Sequence, residues 1–278
     1  MRVLAQGHLS KMATSINAVP KARVAYQLQM GGQSVDMNAL VGRTIRLQHL
    51  GEIKCSHCGR KTKKSYSQGY CYPCMQKLPQ CDLCIMSPER CHYDQGTCRD
   101  ASWGEGYCMQ PHVIYLANSS ALKVGITRVN QMPTRWLDQG ASQAVPIMQV
   151  ATRKLSGQVE TVLKNYVADK TNWRALLKGE AMELDLLAEC ERLKAEAAEP
   201  LQGLLSGVDK ACYTWLQHTP TSMQYPVQQY PTKIVSHNLD KESVLEDQLL
   251  GIKGQYLIFA NRVINIRKYS SYLVQLCA

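Results

Sequence analysis

The chain has 278 residues, 12 cysteines and a formal net charge of +10 at pH 7, long enough for two or three domains. The basic balance points to an anionic partner, nucleic acid before a membrane surface. Met1–His8 lacks the apolar stretch of a signal peptide, and no run reaches the roughly 18 apolar residues of a membrane span, so a cytoplasmic protein with reduced thiols is expected.

Residues 1–50 read as a β-rich segment. Val24-Ala-Tyr-Gln-Leu-Gln-Met alternates apolar and polar residues, Gly31-Gly32 follows as a turn, and Val41–Leu47 is a second strand. Residues 51–112 are cysteine-rich and open as Cys55-x2-Cys58-x12-Cys71-x2-Cys74. Each C-x-x-C pair can turn two thiolates toward one tetrahedral ion, so these four cysteines are the expected ligands of a zinc ion. A segment held this way needs little apolar core. Inside the loop, Arg60, Lys61, Lys63 and Lys64 form a basic run, with Tyr66, Tyr70 and Tyr72 close behind. These are candidate nucleic-acid contacts, since cations meet phosphates and aromatics stack on bases. The plain alternative is a solvated loop with structural tyrosines.

A second cluster follows: Cys81, Cys84, Cys91, Cys98 and Cys108, with His92 and His112 among them. It supplies more ligands than one tetrahedral ion takes, and a second zinc is expected from the pool of the five thiols and His112. Cys81 and Cys84 are its favoured pair, because C-x-x-C recurs there. Spacing does not say which of the others complete the site. Cys190, Cys212 and Cys277 lie in apolar surroundings and read as small buried hydrophobes.

Residues 113–178 read as a compact mixed unit. Val113–Ala117 and Lys123–Thr127 make a hairpin about the turn Asn118-Ser-Ser-Ala. A helix from Gln131 carries Arg135, with Gln139 one turn on along the same face. Val145–Ala151 is a third strand, and a helix starting at Gly157 places Glu160 in its first turn, where the helix dipole favours a carboxylate. Residues 179–219 read as helical, Pro220–Pro231 as a linker, and 233–278 as β-rich. Leu40-Val-Gly and Leu250-Gly each precede an apolar strand, and one reading of this weak likeness is a single small β-domain shared by the two ends. Two ordinary strands are the alternative. The fold class is α+β.

The order hairpin, Arg-bearing helix, strand, Glu-bearing helix resembles the GIY-YIG nuclease superfamily. Ile114-Tyr115 looks like its first motif, and Lys123-Val124-Gly125 resembles the branch that reads Lys-Ile/Val-Gly-x-Thr at the second. Arg135 falls at the family's arginine and Glu160 at its metal-binding glutamate, while Asn172 aligns loosely with a late asparagine of some members. Cys81-Asp-Leu-Cys, Pro88-Glu-Arg-Cys-His, Gly96-Thr-Cys-Arg and Arg135-Trp-Leu-Asp-Gln-Gly-Ala also resemble a bacterial family, domain of unknown function 2797, from the cysteine block through Asp169–Arg174.

The first resemblance implies a catalytic set of Tyr115, Lys123, Arg135 and Glu160. Glu160 would hold Mg²⁺ or Mn²⁺ through its carboxylate and waters. Arg135 would clamp the phosphate, Tyr115 would position or deprotonate water, and Lys123 would add positive charge. Each has an ordinary structural competitor: a strand tyrosine, an Arg135–Asp138 pair, a helix-dipole glutamate. The chain also departs from the family. Val113 replaces a glycine, the second motif lacks its tyrosine, and Gln139 stands where some nucleases carry a histidine. Glutamine cannot accept and release a proton as histidine does. Three readings follow: a metal-dependent endonuclease, a non-catalytic DNA- or RNA-binding module, and a zinc-stapled adaptor that meets a protein partner through the acidic 180–199 helix.

Overall fold

The computed structural model describes residues 1–16, 21–167, 172–179 and 181–278. Near the N-terminus lie β1 (Val3–His8), β2 (Ala13–Ile16), β3 (Lys21–Met30), β4 (Gln33–Asp36) and β5 (Thr44–Ile53). The cysteine region contains α1 (Tyr72–Lys77) and α2 (Ala101–Tyr107), joined by short 3₁₀ turns. The middle of the chain supplies β6 (His112–Asn118), β7 (Leu122–Arg128), α3 (Thr134–Asp138), β8 (Gln143–Val150), α4 (Arg153–Lys164) and α5 (Trp173–Lys178). After it come α6 (Leu186–Glu196), α7 (Ala198–Leu205), β9 (Tyr213–Trp215) and β10 (Thr221–Gln224). The C-terminal strands are β11 (Val244–Lys253), β12 (Tyr256–Phe259), β13 (Val263–Asn265) and β14 (Tyr272–Cys277).

Two sheets organise these elements. One runs β1-β14-β5-β11-β12-β13, so strands from both ends of the chain interleave. The other runs β2-β3-β10-β8-β6-β7, with β4 on β3 and β9 on β8. The main apolar core lies between the sheets and joins Tyr26, Leu28 and Leu47 to Tyr115, Trp136, Leu257 and Val274. A second core covers the other face of β6 and β8, where Ile114, Leu116 and Ile147 meet Leu155 and Val159 of α4, Leu193 of α6 and Leu201 of α7. β6 is therefore buried along its whole length, Tyr115 and Ala117 entering one core and Ile114 and Leu116 the other. No residue of 54–112 belongs to any apolar cluster. No helix among the described residues is long and apolar enough to cross a membrane.

Three local expectations need correction. The 179–219 segment is not continuously helical: α6 gives way to α7 at Ala197, and Tyr213–Trp215 pairs with β8 as a strand. Aromatic and β-branched residues at 213–215 favour the sheet once an edge is within reach. Glu180, where the acidic helix was expected to start, lies outside the described residues. The acidic side chains of α6 are largely spoken for, because Arg192 bonds both Glu189 and Glu196 and Lys194 bonds Glu191.

The expected 220–231 linker contains β10, which pairs parallel to β3 and antiparallel to β8 and so joins the N-terminal strands to the central unit. Finally, α4 begins at Arg153. The Thr152 side chain caps it by accepting the Leu155 N–H at 3.2 Å. Glu160 thus sits in the body of the helix, where a first-turn dipole effect does not account for it.

Candidate functional site

The first cysteine cluster is set by local turns. Cys55 leaves β5 into a tight turn closed by Gly59 N–H on the Cys55 carbonyl at 2.9 Å, and Gly59 takes the left-handed φ of 71° that such a turn requires. Cys71 caps α1 and Cys74 lies in its first turn. The sulfurs of Cys55, Cys58, Cys71 and Cys74 all fall within 4.8 Å of one another, with Cys58 and Cys71 at 3.7 Å. Zn–S bonds of about 2.3 Å in a tetrahedron place sulfurs roughly 3.8 Å apart, so this cluster can hold a metal ion such as zinc. Burial opposes ionisation of Cys55, but the N–H groups of Cys58, Cys71 and His57 outweigh it and bring the thiol to about 6. Burial and the crowding thiols push Cys74 up to about 12.

The second cluster has a different shape. Cys84, Cys91, Cys98 and Cys108 line one small cavity together with Asp82 and His92. Donor atoms of Asp82, Cys84 and His92 lie within 4.8 Å of one another. Asp82 is held by Arg99 at 2.7 Å, and His92 Nδ1 lies 2.8 Å from Thr97 Oγ1. Cys81 and His112, both in the expected pool, do not line this cavity. Cys81 turns toward Ser67 and Cys55 instead. His112 is fully buried, with Nδ1 2.6 Å from the Gln110 carbonyl and Nε2 without a partner, and burial brings it down to about 4. Burial pushes the Cys84 and Cys108 thiols each up to about 11.

Between these clusters and the two sheets opens a cleft of about 620 Å³. β7 lines one side from Lys123 to Arg128, α3 contributes Arg135, Asp138 and Gln139, and α4 contributes Arg153, Glu160 and Lys164. Gln68 enters from the loop of the first cysteine cluster, Ile85, Met86 and Pro88 from the second, Lys11 from the connection between β1 and β2, and Arg267 from the 3₁₀ turn between β13 and β14. The cysteine segments are thus walls of the cleft. The second wall is clamped to α4: Arg153 donates to the Ile85 carbonyl at 2.7 Å, and a Cβ on Gly157 would lie 2.6 Å from Pro88 Cβ.

Tyr115 lies behind this surface, fully buried, and its hydroxyl donates to Gln139 Oε1 at 2.8 Å. Its ring covers Gly125, its direct partner across the hairpin, where a Cβ would stand 2.6 Å from the phenol oxygen. That close approach is the physical reason for glycine in Lys123-Val-Gly. Burial pushes the Tyr115 phenol up to about 12, against the opposing pull of Arg135. The hydroxyl is thus a donor and a weak base. Of the four residues expected to act together, Lys123, Arg135 and Glu160 line the cleft, while Tyr115 stands behind it. Glu160 forms an ion pair with Lys164 at 3.2 Å. Asp138 does not pair with Arg135: it holds Lys11 at 2.7 Å and accepts from Gln255 at 2.9 Å.

Lys11, Lys123, Arg128, Arg135, Arg153, Lys164 and Arg267 face the cleft against Asp138 and Glu160, seven cations to two carboxylates, a formal excess of five positive charges. Burial and the nearby Arg135 guanidinium hold Arg267 below the usual arginine range. Arg128 stacks over the Tyr107 ring at 3.9 Å, and Tyr107 stacks on Trp103 at 4.3 Å. Of these cations the sequence singles out Lys123 and Arg135, but not Lys11, Arg128, Arg153, Lys164 or Arg267. Lys11 and Arg267 are more than 250 residues apart, and only the interleaving of the terminal strands brings them together.

The basic run lies elsewhere, since none of Arg60, Lys61, Lys63 and Lys64 lines the cleft. Lys61 is engaged by Glu52 at 2.6 Å, and hydrogen bonds from Lys61 and Lys54 hold that carboxyl down to about 2. Arg60, Lys63 and Lys64 are exposed. Tyr66 and Tyr72 pack edge to face at 5.5 Å. Asn172 caps α5, accepting from the Arg174 N–H at 3.0 Å.

A family model described as "protein of unknown function (DUF2797)" matches residues 42–274. No curated protein and no solved structure matches the chain.

Proposed function

This chain belongs to the DUF2797 family of proteins of unknown function, and we propose that its cleft binds the phosphodiester backbone of a nucleic acid. The observation that carries this reading is the crowding of like charge, above all Arg135 beside Arg267 in one depression with an excess of five positive charges. Such crowding is unfavourable until an anion enters. Guanidinium forks match phosphate oxygens, and the cations are spread across a cleft of about 620 Å³, so several phosphates are a better fit than one. Arg60, Lys63 and Lys64 are exposed but lie outside the cleft, so the reading does not rest on them.

The zinc expected at Cys55, Cys58, Cys71 and Cys74 has a structural part in this reading. It fixes a segment without apolar core and thereby positions Gln68 at the cleft.

A second reading, phosphodiester cleavage, is favoured by the position of Glu160. Its carboxylate enters the same cleft as Arg135, close enough for its charge to act on the Tyr115 phenol. The resemblance to GIY-YIG nucleases at these positions points the same way. Mg²⁺ or Mn²⁺ is commonly held by one carboxylate and waters, a role Glu160 would fill, and the ion would supply electrostatic stabilisation to the phosphate. Arg135 would orient the phosphate, and Tyr115, donating to Gln139, would hold the arginine-bearing helix in place rather than take up a proton.

A gel assay separates these readings. Labelled duplex DNA, single strands and structured RNA are mixed with protein at low salt, with and without Mg²⁺ or Mn²⁺, beside Glu160→Gln. Retarded, uncut substrate supports the binding module. Cutting that disappears in Glu160→Gln supports the nuclease. No retardation of any of the three substrates overturns the proposal.

A further inference from the structure

Resting on the nucleic-acid reading above, we infer that the cleft takes a single strand with unpaired bases, not a duplex, and that the bases meet the apolar tip at Leu83 and Met86 and the outer edge of β7. Size is the first constraint. A volume of about 620 Å³ corresponds to a cube about 8.5 Å on edge, whereas the major groove of B-form DNA alone is about 12 Å wide. A duplex can only lay its backbone across such a cleft, while one strand can enter it.

The second constraint is the wall formed by β7, the last strand of its sheet. All of Lys123–Arg128 lines the cleft, although successive side chains of a strand point to opposite faces. What these consecutive residues share is the outer edge of the strand. Among the described residues, β6 is the one strand paired with β7. Alternate residues of an antiparallel pair turn N–H and C=O away from the partner, so the stretch Val124–Arg128 offers backbone donors and acceptors to the cleft. Bases in a duplex have their Watson–Crick edges occupied by each other. Unpaired bases can bond a strand edge.

The third constraint is apolar. Leu83 is 77% exposed and Met86 is 86% exposed, and Met86 lines the cleft. Residues three apart eclipse in a 3₁₀ turn, so Leu83 stands beside Met86 on the turn Leu83–Ile85. The turn is fixed: Met86 N–H donates to the Leu83 carbonyl at 3.0 Å, and Arg153 donates to the Ile85 carbonyl at 2.7 Å. A single exposed apolar side chain is ordinary. Two together, held on a rigid tip at the mouth of a cationic cleft, match the flat faces of bases whose phosphates the cations hold. The Tyr107 ring is already engaged by Arg128 at 3.9 Å and Trp103 at 4.3 Å, so Leu83 and Met86 supply the free apolar surface.

The test compares a short labelled strand with the same strand annealed to its complement, by fluorescence anisotropy at low salt without added Mg²⁺ or Mn²⁺. A site that reads charge alone favours the duplex, whose charge density is higher. Contact with bases reverses this order, and the single strand is expected to bind about tenfold or more tightly than the duplex. Leu83→Ser combined with Met86→Ser is expected to lose about tenfold or more in single-strand affinity, as two apolar side chains cease to be buried against bases. Its salt slope should match that of the parent chain, because no cation is removed. Equal or tighter duplex binding overturns the inference, as does a folded double variant with unchanged single-strand affinity. Should the double variant fail to fold, the preference of the parent chain decides alone. Failure of the parent chain to bind either probe is a separate result: it overturns the cleft reading itself, and this inference with it.

Discussion

The Tyr115 hydroxyl donates a 2.8 Å hydrogen bond to the side-chain carbonyl of Gln139, tying the central strand of the hairpin sheet to the end of the arginine-bearing helix. The bond is buried at its tyrosine end, so Gln139→Leu leaves a hydroxyl that has lost its acceptor. Leaving such a group unpaired costs about 1–3 kcal/mol. Denaturant unfolding of Gln139→Leu should show a loss of this size. Adding Tyr115→Phe removes the stranded hydroxyl, and the double variant should be less destabilised than the two single changes together. Strict additivity would show that the pair is not coupled.

Gly125→Ala is expected to be damaging for a steric reason. Its new Cβ would sit 2.6 Å from both Cζ and the oxygen of a ring with no free space around it. Overpacking of this kind costs roughly 1–3 kcal/mol. The thermal midpoint should fall, and Tyr115→Phe in the same chain should recover little, because the ring carbon collides as well. A neutral Gly125→Ala would mean that the phenol does not cover this position.

The period-two alternation of Val24–Met30 and the Gly31-Gly32 turn made β3 legible, and β6 and β7 read as a hairpin because both are short apolar runs about a polar turn. The C-x-x-C pairs exposed the first metal cluster, because knuckle geometry is local. β10 was illegible: Thr221–Gln224 has only four residues inside a Pro- and Gln-rich stretch, and its strand state comes from β3 and β8 on either side. The sequence reading starts α4 at Gly157, four residues after its first residue, Arg153, and that glycine is no boundary. It is instead a contact, where the helix backbone meets Pro88. Most of the cleft cations were unreadable for the same non-local reason. Arg128, Arg153 and Arg267 carry no motif, and only tertiary structure assembles them.

Metal removal should act locally first. The segment 54–112 has no share in the apolar cores, whereas β5 and β14 are anchored in them. Chelation is expected to strip hydrogen-exchange protection from amides near Cys55–Cys108 while those of β5 and β14 stay protected. Simultaneous loss across both regions would contradict this division.

Stability should also fall with acid through His112. Burial depresses this imidazole to about 4 from an ordinary value of 6.5, so the unfolded chain binds its proton first. The contribution is fully present above pH about 6.5 and is lost as pH falls toward about 4, a change on the order of 3 kcal/mol for the fully shifted group. Metal loss in acid affects parent and variant alike. The decisive quantity is therefore the difference in slope: His112→Asn should lose stability less steeply between these pH values, and identical slopes would remove His112 from the account.

The most direct measurement of the central claim is the salt dependence of nucleic-acid affinity for the parent chain and for Arg135→Ala combined with Lys164→Ala, each first shown to keep its fold by thermal melting. With an excess of five positive charges in the cleft, log affinity should fall with log salt at a slope of roughly −4 to −5 if each is matched by a phosphate. The double variant should bind more weakly and lose about two from that slope. A folded variant with unchanged affinity and slope would contradict the account and move nucleic-acid binding, if any is found, out of the cleft.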